Sequence, residues 1–150
     1  EESPTITVVD RYVYRLFNAG SGAYLFSSNP TEIDIITGQG WTNEGAAYQS
    51  PESASTDLHR FLIQGSGKHF YTANSDEKMI LQDSPGYLYE GVAFQVYSSS
   101  DESSNSVPVV RYLNTDTGSH IYSTSQIEQN IFSEKASMIY EGNAWYAESI

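Results

Sequence analysis

The run Gly67-Lys-His-Phe-Tyr-Thr-Ala-Asn-Ser-Asp-Glu-Lys-Met-Ile-Leu81, with its companion Tyr87-Leu-Tyr-Glu-Gly-Val-Ala-Phe94, occurs three times in the chain. The first copy reads Gly22-Ala-Tyr-Leu-Phe-Ser-Ser-Asn-Pro-Thr-Glu-Ile-Asp-Ile-Ile36, then Trp41-Thr-Asn-Glu-Gly-Ala-Ala-Tyr48. The third reads Gly118-Ser-His-Ile-Tyr-Ser-Thr-Ser-Gln-Ile-Glu-Gln-Asn-Ile-Phe132, then Met138-Ile-Tyr-Glu-Gly-Asn-Ala-Trp145. Gly22, Gly67 and Gly118 stand 45 and 51 residues apart, as do Arg15, Arg60 and Arg111, and Glu32, Glu77 and Glu128. Glu44, Glu90 and Glu141 stand 46 and 51 apart. Independent anchors that agree within one residue mark a true internal repeat. A period in this range indicates an array, a propeller, a solenoid or a closed pseudo-symmetric fold.

The length decides among these. A chain of 150 residues fits one domain with a sizeable core, whereas a single copy is too small to stand alone. The expectation is therefore a β-rich single domain of three internal repeats with pseudo-threefold symmetry, β-trefoil-like, with one short helix per repeat. Residues 1–11 are a lead-in segment, and 12–150 form the domain, with repeats at 12–56, 57–106 and 107–150.

Local chemistry supports that architecture. Tyr12-Val-Tyr-Arg-Leu-Phe17 and Ala23-Tyr-Leu-Phe-Ser27 are rich in β-branched and aromatic residues and flank a Gly-bearing turn, the signature of a β-hairpin. Asn29, Asn74 and Ser125 each stand three residues before a Glu, which predicts a capped short helix and a capping role for Glu32, Glu77 and Glu128. Gly45, Gly91 and Gly142 interrupt the following strand at one repeated place, as at a bulge. Ala47, Ala93 and Ala144 precede Tyr48, Phe94 and Trp145, a small-then-large pattern of shared core packing. Ile6-Thr-Val-Val9 reads as an extended piece at the domain edge, and Ser98–Ser106 as a mobile polar loop.

Composition removes several classes of function. Seven Lys plus Arg against 19 Asp plus Glu give a net charge of −12, which argues against nucleic acid and against anionic membrane surfaces. With no cysteine there is no disulfide, thiolate metal site or cysteine nucleophile. No run approaches the ~18 apolar residues of a membrane span. The chain begins with Glu and shows no signal peptide, which is read as a mature form or an excised domain.

The pattern Tyr/Val-x-Arg-Tyr/Phe-x-Asn, Gly-x-His-x-Tyr-Ser/Thr, a short Glu-bearing helix, then Tyr/Trp-x-x-Glu-Gly-x-Ala-aromatic resembles a known repeat family. It is the short tyrosine- and histidine-containing repeat, often triplicated, of secreted bacterial and fungal proteins, where it is often appended to cell-wall hydrolases and peptidases. The resemblance spans roughly residues 12 to 147, and copy one departs from it at Tyr24, where the family has His. It implies a secreted or extracellular accessory module, part of a larger secreted protein.

The candidate ligand-binding residues are His69, Tyr71, His120, Tyr122 and Tyr24. Aromatic rings stack on the apolar faces of sugars, and imidazole and phenol groups take the hydroxyls. The alternation of a strand puts Tyr24/His69/His120 and Phe26/Tyr71/Tyr122 on one face and Leu25/Phe70/Ile121 on the other. The consistently apolar set is the expected core, which leaves the polar-aromatic set nearer the surface. Repeats two and three, which keep His-x-Tyr, are then the competent ones. Arg15, Arg60 and Arg111 are expected to be substantially buried and bridged to the Glu of Glu-Gly, or else to anchor an acidic or hydroxyl-rich ligand.

No catalytic constellation is legible. Every notable polar residue has near-copies, and there is no serine elbow, phosphate loop or zinc helix. Two equivalent His without a third do not make a metal site. The expected function is carbohydrate binding, lectin-like, with a glycan or cell-wall polysaccharide as partner. No enzyme activity, cofactor or metal is expected. The rival is a structural or protein-interaction repeat domain with no small ligand.

Overall fold

Strands β1 (Tyr12–Asn18) and β2 (Ala23–Ser27) pair antiparallel across a turn closed by Gly22, and helix α1 (Pro30–Gly38) and strand β3 (Thr42–Gln49) follow. The order recurs in β4 (Thr56–Ile63), β5 (Lys68–Thr72), α2 (Ser75–Gln82) and β6 (Tyr87–Val96). It recurs again in β7 (Ser106–Asn114), β8 (Ser119–Ser123), α3 (Gln126–Ser133) and β9 (Met138–Glu148). We call these three stretches segments one, two and three. The computed structural model describes residues 11–53 and 55–150, so the extended piece expected at Ile6–Val9 lies outside the described residues.

The result is a β-rich single domain with two sheets. One has six strands in the order β2-β1-β3-β9-β7-β8, and the other has three in the order β5-β4-β6. Each first strand is flanked by the second and third strands of its own segment. The sheet edges β2, β5 and β8 touch one another at the centre of the molecule.

The helices start where their caps dictate. The Asn29 side chain accepts from the backbone N–H of Thr31 and Glu32, and Asn74 and Ser125 accept from those of Glu77 and Glu128. The acceptor is thus the residue three before each Glu, and the Glu carboxylates go elsewhere. Among the described residues α1, α2 and α3 have no buried side chain, so these helices lie on the surface of the sheets rather than within the core.

The glycine-marked strands are bulged. Arg60 pairs with Gly91 while Phe61 pairs with Tyr89, which leaves Glu90 as the extra residue, and Arg111, Gly142, Tyr112 and Tyr140 repeat this around Glu141. Gly91 has φ +101°, a conformation that suits glycine. A bulge re-aims the side chain beside it. Here it brings Glu90 Oε1 to 3.0 Å from Arg60 Nε on the neighbouring strand.

The core corrects the expectation for the polar-aromatic face. Phe26, Tyr71 and Tyr122 are not near the surface but among the most deeply buried side chains, packed with Val13, Tyr48, Leu58, Phe94 and Trp145. Leu25, Phe70 and Ile121 are buried as well. Both faces of the second strands are covered, because these strands are the edges that meet at the centre. An edge strand carries unpaired backbone groups, which a dry core must satisfy. The tyrosine hydroxyls do this. Tyr71 Oη accepts from the Phe26 N–H at 2.8 Å and donates to the Phe26 carbonyl at 3.2 Å. Tyr122 Oη accepts from the Tyr71 N–H at 3.0 Å and donates to the Tyr71 carbonyl at 3.3 Å. Burial pushes both phenol pKa values well up.

The polar loop after β6 is more structured than its composition predicts. It contains a 3-10 turn at Ser100–Glu102, and the Glu102 carboxylate accepts from the backbone N–H of Ser98 at 2.7 Å and from Ser55 Oγ at 3.1 Å.

Candidate functional site

Three polar clefts lie where the strand-to-helix loop of one segment crosses the bulged strand of another. The Arg15 cleft, about 290 Å³, joins segment one to Glu128 of segment three. The Arg60 cleft, about 150 Å³, joins segment two to Glu32 of segment one. The Arg111 cleft, about 180 Å³, joins segment three to Glu77 of segment two.

Each arginine takes the Glu of its own Glu-Gly bulge through Nε. The distances are 2.8 Å for Arg15–Glu44, 3.0 Å for Arg60–Glu90 and 2.9 Å for Arg111–Glu141. These are the bridges expected from sequence. The fork of the guanidinium then reaches a second carboxylate from another segment. Arg15 holds Glu128 with Nη1 and Nη2 at 2.8 and 2.7 Å, and Arg60 holds Glu32 at 3.0 and 2.8 Å. Glu32 and Glu128 therefore tie segments together, and the capping role expected for them falls to the side chains three residues earlier. Arg111 breaks the pattern, because its Nη1 stands 3.9 Å from Glu77.

The electrostatics follow the geometry. Burial works against the Arg15 and Arg60 charges, but their carboxylate partners outweigh it and raise both pKa values. Burial also opposes ionisation of Glu32 and Glu128, yet hydrogen bonds from Arg60 and Arg15 hold both carboxyls below the usual range.

His69 and His120 sit beside these clefts. Their Nε2 atoms lie 3.1 and 3.3 Å from Glu90 and Glu141 Oε1. Burial lowers the pKa of both imidazoles, opposed by the glutamates and reinforced by Arg60 or Arg111. A neutral ring donating Nε2–H to the carboxylate fits both environments. Each Nδ1 is buried without a hydrogen-bond partner among the described residues. The predicted partners of these histidines do not join them. Tyr71 and Tyr122 are 1% and 2% exposed and offer no surface to a ligand.

Tyr24 occupies the matching place in segment one and opens onto a different cleft. Its ring lies 4.8 Å from Phe17 and 5.2 Å from the Arg15 guanidinium. A cavity of about 290 Å³ runs from Tyr24 to Ile121, Phe132 and Met138 of segment three, rimmed by Asn114, Asp116 and Lys135. The space follows from the sequence. Where segment two carries the rings of Phe70 and Tyr87, segment three carries the slimmer Ile121 and Met138. In segment two those rings pack edge to face at 6.4 Å, and Phe70 is capped by His120 at 5.0 Å. Ser119 Oγ lies buried in the wall of the Tyr24 cleft with no hydrogen-bond partner among the described residues. Asp116 and Lys135 stand exposed at the rim.

Repeat logic passed over this cleft, because Asp116, Phe132 and Lys135 have no counterparts of the same type in the other copies. The signal that finds it is Met138 at a position that is aromatic in the other copies, Trp41 and Tyr87, together with Ile121 in place of the Phe70 ring. Chemically, it joins aromatic and aliphatic walls to a few convergent donors and acceptors, the usual composition of a small-molecule site.

The fold and clefts define a β-rich module whose polar sites fall at the joints between its segments. The chain belongs to the family described as a domain of unknown function, DUF5648, which matches residues 12–148. No curated protein and no solved structure matches it. No helix among the described residues is long and apolar enough to cross a membrane.

Proposed function

We propose that this domain is an extracellular, lectin-like carbohydrate-binding module, an accessory part of a larger secreted protein, and that glycan or cell-wall polysaccharide binds in the Tyr24 cleft. The proposal includes the architecture: three strand-strand-helix-strand units about a pseudo-threefold axis, β-trefoil-like. The repeat offsets and the recurring element order support that symmetry. Localisation outside the cell rests on the resemblance of the repeat.

The observation that carries the binding site is the Tyr24 cleft itself. A pyranose has an apolar face and a hydroxyl edge. Tyr24 and Phe132 supply aromatic surface, while Asp116, Asn114 and Lys135 supply acceptors and donors at the rim. Ser119 Oγ, buried and without a partner among the described residues, is a further polar group that a hydroxyl would satisfy. His69 and His120 act in this reading as architecture, holding the bulge glutamates. A glycan array and a cell-wall pull-down test the function: the wild type binds, and Asp116→Ala at the exposed rim binds less while melting unchanged.

A second reading is favoured by the helices. Ile80 is 67% and Ile127 77% exposed, and Ile35, Met79 and Ile131 are exposed as well. Apolar residues displayed on all three helices suit a protein-interaction domain. Binding of no glycan on the array, together with a stable complex with the rest of its parent protein, would select this reading.

A further inference from the structure

The three arginine clefts are built alike, and one of them is open. Arg15 and Arg60 each close on a second glutamate with two hydrogen bonds of 2.7 to 3.0 Å. Arg111 does not, since Nη1 and Glu77 Oε1 are 3.9 Å apart, beyond hydrogen-bond reach. Among the described residues the terminal nitrogens of Arg111 donate to nothing, although its side chain is only 20% exposed. Glu77 is correspondingly the most exposed of the three partner glutamates, at 40% against 28% for Glu32 and 26% for Glu128.

Two sequence differences accompany the opening. Where segments one and three carry Ser27 and Ser123, segment two carries Thr72, which lines the cleft with Glu77. Where the other two clefts are lined by Ala46 and Val92, this one is lined by Asn143. The third cleft therefore adds an amide to its lining, with Asn143 Nδ2 donating to Tyr146 Oη at 3.3 Å.

We propose that the Arg111 cleft is a second sugar-binding subsite, which takes a vicinal diol between the Arg111 fork, the Glu77 carboxylate and the Asn143 amide. The inference rests on the carbohydrate reading above but not on the Tyr24 cleft. A hydroxyl oxygen seated between Nη1 and Oε1 accepts from the guanidinium and donates to the carboxylate at ordinary hydrogen-bond lengths, which fits a gap of 3.9 Å. The neighbouring hydroxyl meets the Asn143 amide. The charges select a neutral ligand. Arg111 faces both Glu77 and Glu141, so an anion meets two like charges. An ammonium carries no acceptor for the guanidinium N–H groups. A hydroxyl pair offers both functions.

The test follows the Arg111 side-chain N–H and Gly142 amide resonances during titration with a panel of neutral methyl pyranosides. Tetrahydropyran-2-methanol, which has one hydroxyl and no vicinal pair, is the control. The inference expects saturable shifts with at least one diol sugar, none with the control, and binding weakened about fivefold by Asn143→Val, which installs the residue segment two already carries. The shifts persist in a Tyr24→Ala background. A silent Arg111, an equal response to the control, or unchanged binding by Asn143→Val overturns it. Binding at the Tyr24 cleft with a silent Arg111 removes this inference alone, while a responsive Arg111 with a silent Tyr24 cleft removes the primary site alone.

Discussion

Arg15 of β1 and Glu128 of α3 lie 113 residues apart in sequence and meet through two parallel hydrogen bonds of 2.8 and 2.7 Å. This fork-to-fork pair fastens the first segment to the last. Its geometry is the strong form of a charge-assisted contact, and both side chains are mostly withdrawn from solvent.

Removing Glu128 takes the fork's two hydrogen bonds from Arg15 and leaves it Glu44 and the Tyr122 carbonyl. Losing a fully buried pair costs about 3–5 kcal/mol and an exposed one less than about 1 kcal/mol. Glu128→Gln falls between these limits and should destabilise by roughly 2 kcal/mol, with Glu32→Gln similar. Glu77→Gln should cost under about 1 kcal/mol, because its partner stands off at 3.9 Å. Urea unfolding of the three variants measures the order, and equal losses would contradict the open clasp.

The tyrosine hydroxyls at the centre give a separate prediction. Tyr71→Phe deletes one oxygen and strands the N–H and C=O of Phe26 in the core. The expected loss is about 1–3 kcal/mol with an unchanged denaturant slope. A neutral result would show that the edge strands do not depend on the phenol.

Stability should fall on acidification in two stages. His59, His69 and His120 have folded pKa values below the usual 6.5, with burial the leading cause. Above 6.5 both folded and unfolded rings are neutral and the contribution is fully present. As pH drops below 6.5 the unfolded chain binds protons first, so stability is lost. Glu32 and Glu128, held below 4.5, add a second loss as pH falls beneath that value. Thermal melts should show Tm declining from pH 7 to pH 5, and the double variant His69→Tyr/His120→Tyr, which copies segment one, should retain only the share of His59. A wild-type Tm that rises over this interval would reverse the assigned shifts.

Much of the fold was legible because its elements are locally encoded. The Gly22 turn, the Asn29 cap and the Gly91 bulge each lie within a few residues of what they control. The Arg60–Glu90 bridge was legible because both partners recur with nearly the same spacing. The Arg60–Glu32 pair was not, since repetition says that two residues are equivalent in every copy and nothing about which copy they reach into. Tyr71 was misplaced for the same reason: alternation assigns a face, but the covering of both faces of β5 comes from β2 and β8. The Tyr24 cleft depends on Met138, where the other copies have Trp41 and Tyr87, and on Ile121 in place of the Phe70 ring, so it appears only where the copies differ.

The most direct test of carbohydrate binding at the Tyr24 cleft is calorimetric titration of the strongest glycan from the array into the wild type and Asp116→Ala, with melting curves of both proteins. The account predicts saturable binding by the wild type and a loss of roughly tenfold in affinity for Asp116→Ala at unchanged Tm, as for a charged hydrogen-bond partner removed from a site. Equal affinity in the two proteins, or no binding by a folded wild type to any glycan or cell-wall preparation, would contradict it.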